Sequence, residues 1–173
     1  MYHRLFTIVT ILLLLTVGCA NGKQACITIH TDIGGLSQYM NLPEGTVEVH
    51  WFRFAQPLSK NPSTGSWYAV GPTEWGIMAV VAVEPEKFEA YIKSCKTSSP
   101  PKDGFAVAKC YMSDVFRNLL GGTVLQYEQA SDKYVIRSDE VYIPTPTLKL
   151  PMPDGIMIPL RDKNTVLIIV YGN

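Results

Sequence analysis

Charge of either sign is scarce in this sequence. Its 173 residues include 15 basic and 15 acidic side chains, so that 17% of the residues are charged and the formal net charge is zero. A nucleic-acid-binding protein needs an excess of basic residues to displace counterions from phosphates, and the balance argues against that class. The low charge content and the mean hydropathy of +0.10 exclude a mainly disordered chain. The length suits one domain and is short for two.

The sequence also lacks the motifs that mark several large enzyme classes. It contains no G-x-S-x-G elbow, no P-loop, no G-x-G-x-x-G and no H-E-x-x-H. Its four cysteines include no C-x-x-C pair and form no close cluster with histidine, as a zinc site would require. We therefore expect neither a cofactor nor a metal ion.

An apolar run at the N-terminus is the first positive feature. One cation, Arg4, precedes a stretch from Leu5 to Leu15 that only two threonines interrupt. A helix needs about 20 apolar residues to span a bilayer, so this run is short for a permanent membrane helix. Its length is typical of the apolar core of a secretory signal peptide.

Small residues then lead directly to a cysteine, in the segment Leu-Thr-Val-Gly-Cys-Ala at 15–20. This segment resembles the lipobox of bacterial lipoprotein precursors, although Thr16 stands where an aliphatic residue is usual. The resemblance covers about the first 20 residues, and it implies removal of residues 1–18 and acylation of Cys19. Two acyl chains give stable membrane anchoring, and the triacyl group of this family exceeds that threshold. Ala20, where an acidic residue is absent, resembles the residue after the cysteine in lipoproteins of the Gram-negative outer membrane. This resemblance implies a location at the outer membrane, facing the periplasm. The alternative is an ordinary cleaved signal peptide beside a coincidental cysteine.

Three cysteines remain if Cys19 carries lipid. The periplasm is oxidising, which favours a disulfide. We predict the Cys95–Cys110 pair, because it closes a loop rich in turn-forming residues and contributes roughly 3 kcal/mol in the chain-entropy model. Cys26 is then left over as a buried thiol, and the other two pairings stay open. Residues 19–25 are predicted to be a lipid anchor and short tether, and residues 26–173 a single globular domain.

Apolar periodicity predicts an α+β fold with a largely antiparallel β-sheet and one or two helices packed on one face. Strand alternation places Val47, Val49 and Trp51 on one face of a strand at 46–54. A helix that begins at Pro85 presents an apolar stripe and a Glu89–Lys93 pair. The remaining predicted elements are strands at 26–31 and 76–83, a helix at 113–120, and hairpins at 123–142 and 156–171.

Two histidines give the most specific catalytic possibility. His30 and Asp32 are two residues apart, as are Glu48 and His50, so each pair shares one face of its predicted strand. If the two strands were neighbours, these four groups could converge on a metal ion or act as a base and its orienting partner. The other interpretation is two half-exposed histidines beside soluble acids.

Aromatic residues are crowded between positions 51 and 75. Aromatic side chains on loops offer large contact areas for proteins or sugars. The alternative is that they fill the core. The candidate binding residues are Trp67, Tyr68, Trp75, Phe52 and Phe54.

These features favour a non-catalytic binding module for a protein or glycan of the cell envelope, such as an accessory, inhibitor or immunity-type protein. The second hypothesis is a lipid-anchored hydrolase or metal-dependent enzyme that uses the two histidine–acid pairs. The third is a structural envelope subunit that offers an edge strand, such as 165–171, for β-augmentation.

Overall fold

The computed structural model describes residues 27–54, 58–60, 67–69, 75–122, 124–144 and 154–172. The predicted signal peptide, the acylated Cys19, the tether and Cys26 lie outside these ranges. Within the described ranges no helix is both long enough and apolar enough to cross a membrane.

Six strands form an antiparallel sheet with a strongly apolar centre. The two long central strands are Trp75–Val83, of nine residues, and Thr165–Gly172, of eight residues. They pair with each other, and Trp75–Val83 also pairs with Thr46–Phe54. The order across the sheet is β1 (Thr46–Phe54), β4 (Trp75–Val83), β11 (Thr165–Gly172), β10 (Asp154–Leu160), β9 (Val141–Ile143) and β5 (Lys96–Ser98). The predicted buried strand at 76–83 and the predicted hairpin of β10 with β11 are confirmed.

Five shorter strands form a second sheet, which the sequence pattern did not separate from the first. Its order is β2 (Leu58–Lys60), β3 (Trp67–Ala69), β6 (Phe105–Ala108), β8 (Lys133–Ile136) and β7 (Leu125–Glu128). The β3–β6 pair is parallel and the other pairs are antiparallel. The predicted hairpin at 123–142 is therefore correct for β7 and β8, but the chain then crosses to the first sheet as β9.

Within the described ranges three α-helices accompany the sheets: α1 (Ile33–Ser37), α2 (Pro85–Ser94) and α3 (Asp114–Leu120). Helix α2 begins with Pro85, whose missing N–H costs nothing in the first turn, and it ends at Ser94. Its predicted apolar stripe is confirmed, because Phe88 and Ile92 are buried. The fold is thus mostly antiparallel sheet with a small helical part, compatible with the α+β prediction.

Each face of the six-stranded sheet carries its own apolar cluster. The helix-side cluster joins Val49 and Trp51 of β1 to Phe88 and Ile92 of α2. The inter-sheet cluster joins alternate residues of the same strands to the second sheet and to α3, through Phe52, Met78, Val107, Phe116 and Ile136. Because α3 packs into the inter-sheet cluster, the helices are not confined to one face as predicted.

Strand β1 shows both the strength and the limit of the alternation pattern. Val49 and Trp51 lie on the predicted common face and are buried. Val47 was expected to join them, but the register with β4 shifts between Thr46 and Glu48, and Val47 is 57% exposed. A β-bulge at this point turns the side chain out of the alternating face. In the described part of the strand predicted at 26–31, residues 27–31, an isolated bridge between His30 and Trp51 replaces the expected strand.

Ser113 caps helix α3, because its Oγ accepts a hydrogen bond from the backbone N–H of Phe116 at 3.3 Å. Replacement of Ser113 by alanine leaves that N–H without its acceptor. We expect Ser113→Ala to lower the free energy of unfolding by about 1 kcal/mol. Urea unfolding followed by circular dichroism measures the change. The matched variant Ser113→Asn retains a capping oxygen and should stay near the wild type; equal stability of the two variants would contradict the cap.

Candidate functional site

The predicted catalytic pairs lie on different faces of the six-stranded sheet. The backbone of His30 pairs with that of Trp51, with N–O distances of 2.7 and 2.9 Å. Directly paired residues point to the same side of a sheet, and the His30 and Trp51 rings stack with their centroids 4.6 Å apart. His30 therefore belongs to the helix side of the sheet.

His50 is the neighbour of Trp51 in β1, so its side chain points to the opposite face. There its Nε2 lies 2.7 Å from a carboxylate oxygen of Glu48, which confirms that this second pair shares one face. The first pair lies across the sheet, and the four groups do not converge. Among the described residues no group of three or more histidine, cysteine, aspartate or glutamate side chains is placed to hold a metal ion.

Two of the predicted binding residues belong to the core. Phe52 is fully buried and Phe54 is 5% exposed, both within the inter-sheet cluster. The Phe52 ring meets Phe116 of α3 edge-on, with the centroids 4.9 Å apart. The prediction that these two phenylalanines bind a partner is therefore wrong, because they fill the space between the sheets.

The backbone separates the other three aromatic candidates between the two sheets. Trp67 and Tyr68 lie in β3, where Trp67 is opposite Phe105 of β6. Trp75 begins β4 in the other sheet, opposite Gly172. They do not form one linear motif, and their role in binding stays a prediction.

No disulfide joins Cys95 to Cys110 in the structure, in contrast to the sequence prediction. Cys95 follows α2 and packs in the helix-side cluster, where its thiol donates to the carbonyl of Tyr91 at 3.4 Å. Cys110 is exposed in the 3-10 turn Lys109–Tyr111, and its neighbour Tyr111 packs against the inter-sheet cluster. The two cysteines thus lie in different surroundings, one buried in the helix-side cluster and one exposed, although they are only 15 positions apart in sequence. Burial raises the pKa of the Cys95 thiol.

A pair of tyrosines at the edge of the second sheet forms a surface that the sequence reading missed. Tyr127 of β7 and Tyr134 of β8 are cross-strand neighbours with ring centroids 5.1 Å apart. The ammonium of Lys109 lies 5.2 Å from the Tyr127 centroid, and the guanidinium of Arg117 lies 5.9 Å from that of Tyr134. We call these four residues the tyrosine–cation surface. Tyr127 is 44% exposed.

Acidic neighbours hold both cations of this surface in place. Lys109 donates to Asp132 at 2.9 Å, and the hydroxyl of Tyr127 also donates to Asp132. The hydrogen bonds to Asp132 and Tyr127 raise the pKa of Lys109. Arg117 pairs with Asp114 one turn earlier in α3 and donates to the Tyr134 hydroxyl at 2.8 Å. The surface therefore presents fixed aromatic rings and charges in a preorganised arrangement.

The strand proposed for β-augmentation does not offer a free edge. Strand β11, which covers the predicted 165–171, pairs with β4 on one side and with β10 on the other. Its interior residues from Val166 to Val170 are fully buried. The run is strongly apolar because it lies in the centre of a sheet with both faces covered, and the prediction that this strand is an edge is wrong.

Arg161 links three parts of the chain at the other end of the sheet. It pairs with Glu89 of α2, in place of the predicted Glu89–Lys93 pair, and donates to both carboxylate oxygens of Glu140 at 2.9 and 2.5 Å. The Tyr142 hydroxyl donates to the same carboxylate at 2.5 Å. The hydrogen bonds from Arg161 are the main reason that the pKa of Glu140 is lowered.

A lowered pKa makes the contribution of Glu140 to stability dependent on pH. The contribution is complete above the unfolded-state pKa of about 4.3 and is lost as the pH falls through the lower folded-state pKa. Because the side chain is partly exposed and screened by water, we expect Glu140→Gln to cost under about 1 kcal/mol at neutral pH. Urea midpoints measured between neutral and acidic pH should converge with those of the wild type in acid. A constant difference across that range would contradict the assignment, and Asp162→Asn serves as the exposed control.

Comparison with known proteins gave no relative for this chain. No protein-family model matches the sequence, no curated protein matches it, and no solved structure matches the fold. Its function is therefore argued from its own residues.

One signal in the sequence could have indicated the tyrosine–cation surface. Tyr127 and Tyr134 both lie in the predicted hairpin at 123–142, and pairing of the two strands on either side of its turn makes them neighbours. Lys109 begins the 3-10 turn after β6 and Arg117 lies in α3, and only the assembled fold brings them to the tyrosines.

Proposed function

We propose that the protein is a lipoprotein of the bacterial outer membrane, anchored through acylated Cys19 and facing the periplasm. In this proposal the folded part is a non-catalytic module that binds a protein or glycan of the envelope. The observation that carries the proposal is the segment at 15–20, in which small residues lead from an apolar run to Cys19. Acyl chains at that residue supply the hydrophobic energy that holds a protein to a bilayer.

The length of chain after Cys19 limits how far the module can stand from the membrane. Ile27, the first described residue, lies eight positions after Cys19. An extended chain spans at most about 3.5 Å per residue, so the separation is at most about 28 Å. Three residues later His30 is paired to Trp51 of β1. The partner of an anchored module must therefore lie near the membrane surface.

The tyrosine–cation surface supports the binding role. Tyrosine and arginine are enriched among the residues that contribute most to protein interfaces. Here both types are combined on one exposed patch, and Lys109 and Arg117 are already oriented by Asp132 and Asp114. A surface that is ordered before contact loses less conformational entropy on binding. The position of the two histidine–acid pairs on opposite faces of the sheet favours binding over the hydrolase hypothesis.

Site-specific cross-linking in intact cells tests this proposal. A photoreactive benzoylphenylalanine replaces Tyr127 in the full-length protein, and a matched variant carries it at Val47, which is exposed on the other sheet. We expect ultraviolet irradiation to join position 127 to one recurrent envelope macromolecule, which mass spectrometry or glycan analysis then identifies. Position 47 should give only background.

Equal cross-linking from both positions would contradict binding through the tyrosine–cation surface. The triple variant Lys109→Met, Arg117→Met and Tyr127→Ala adds an independent comparison, because it removes the patch while leaving the core residues unchanged. Loss of partner capture with unaltered circular dichroism is the expected result. Undiminished capture of the same partner, followed through a tag, would place the interface elsewhere.

A further inference from the structure

A small cleft lies between two turns of the chain, away from the tyrosine–cation surface. One wall comprises Pro100, Pro101, Lys102, Gly104 and Phe105, at the start of β6. The other comprises residues 137–139, which follow β8. Its volume is about 260 Å³. Pockets for drug-sized ligands occupy roughly 300–1,000 Å³, so this cleft suits a smaller molecule.

Internal hydrogen bonds fix both walls. The N–H of Gly104 donates to the carbonyl of Pro101 at 3.0 Å and closes the first turn. Gly104 has a φ of +74°, and a Cβ there would lie 2.6 Å from the carbonyl oxygen of Ile136. On the other wall the Ser138 hydroxyl donates to the carbonyl of Glu140 at 2.9 Å and accepts from its N–H at 3.1 Å. The cleft is therefore shaped before any ligand arrives.

The charges that line the cleft are not all used by the protein. Arg137 is occupied by Gln126 and by Glu128, to which it donates at 3.1 Å. Lys102 and Asp139 also line the cleft, and neither forms a hydrogen bond or ion pair within the described part of the chain. One cation and one anion, both on exposed residues that line the cleft, thus remain available to a ligand.

We propose that this cleft binds a small zwitterion of the α-amino acid class, either free or as a short peptide. The ligand carboxylate would pair with Lys102, and its ammonium group with Asp139. A simple anion would be attracted by Lys102 but repelled by Asp139, and a simple amine would be attracted by Asp139 but repelled by Lys102. Only a ligand that carries both charges is therefore attracted by both side chains. Pro100 and Pro101 offer an apolar wall for the remainder of the ligand. This site is independent of the proposed envelope partner.

Nuclear magnetic resonance on the full-length, 15N-labelled protein in detergent micelles tests the proposal. The probes are the common α-amino acids in small pools and the dipeptide alanyl-alanine, each raised to about 10 mM, where even binding of millimolar affinity is visible. Acetate and methylamine carry one charge each and serve as control probes. We expect at least one zwitterion to shift the amide signals of Gly104 and Ser138, while the control probes leave them unchanged.

Charge-removing variants assign the binding to this cleft. Lys102→Met and Asp139→Asn should each raise the dissociation constant by about tenfold, because each removes one charged contact with the ligand. Lys133→Met removes an exposed lysine of β8 outside the cleft and should leave binding unchanged. Tighter binding of the dipeptide than of any free amino acid would identify a peptide as the source. The proposal is overturned if no zwitterion shifts the two amides, if acetate or methylamine acts equally well, or if both cleft variants bind like the wild type.

Discussion

Replacement of Phe52 by alanine is expected to lower the free energy of unfolding by about 3–5 kcal/mol. Phe52 is fully buried in the inter-sheet cluster and its ring meets that of Phe116 edge-on. The shorter side chain removes apolar contacts and leaves a cavity where β1, the second sheet and α3 meet. Domains of this size have a total stability of about 5–15 kcal/mol, so the variant should be near the limit of folding at physiological temperature.

Val47→Ala is the matched control, because it shortens an apolar side chain in the same strand at an exposed position. We expect its free energy of unfolding to stay within about 0.5 kcal/mol of the wild type. Urea unfolding followed by circular dichroism gives both values. If Phe52→Ala cost no more than Val47→Ala, Phe52 would not fill the space between the sheets, and its assignment as a surface binding residue would return.

Replacement of Cys19 by serine is expected to abolish acylation of the protein. A serine hydroxyl cannot form the thioether that holds the diacylglycerol of a lipoprotein, so labelling of cells with radioactive palmitate should leave the variant unlabelled. Cleavage before residue 19 depends on the same modification in the family that the segment resembles. We therefore also expect the variant to accumulate as a larger precursor that retains the apolar run at 5–15.

Cys26→Ser is the control for this experiment, because it removes a nearby cysteine that lies outside the lipobox-like segment. It should be labelled and processed as the wild type is. If Cys19→Ser were still labelled, or if both variants were processed identically, the acylation proposal would fail. Electrophoresis followed by detection of the palmitate label distinguishes these outcomes.

Elements with strong local periodicity could be predicted from the sequence. Helix α2 has Pro85 at its first position and an apolar stripe that includes Phe88 and Ile92, and its observed range is Pro85–Ser94. Strand β4 is a continuous apolar run and is covered on both faces. In both elements the residues that define the pattern are close in sequence, so the local spacing already contains the information.

The division into two sheets could not be predicted from local patterns. Strand β8 is followed by β9 after a short connection, and the sequence pattern predicted both as parts of one hairpin at 123–142. In the structure β8 pairs in one sheet and β9 in the other. The same long-range assembly decides the candidate sites. It buries Cys95 in the helix-side cluster and leaves Cys110 exposed, and it places His30 opposite Trp51, so that His50 points away from it.

The role of Phe52 and Phe54 also depends on burial that the assembled fold determines. Composition alone could not distinguish a binding cluster from a core, because aromatic side chains serve both. Phe52 and Phe54 share the face of Glu48 and His50 in β1, and their part of that face is interior because a second sheet covers it. The tyrosine pair lies instead on β7 and β8, with Tyr127 exposed and Tyr134 partly buried, and Lys109 and Arg117 approach the pair from other elements.

Mass spectrometry of the N-terminal peptide of the native protein, isolated from cell membranes, tests the central proposal most directly. We expect a peptide that begins at Cys19, with a diacylglycerol on its sulfur and a third acyl chain on its α-amino group. The anchored module would then be held within about 28 Å of the membrane, because Ile27 lies eight positions after Cys19. A mature peptide that contains an unmodified Cys19, or one that begins after it, would contradict the lipoprotein account.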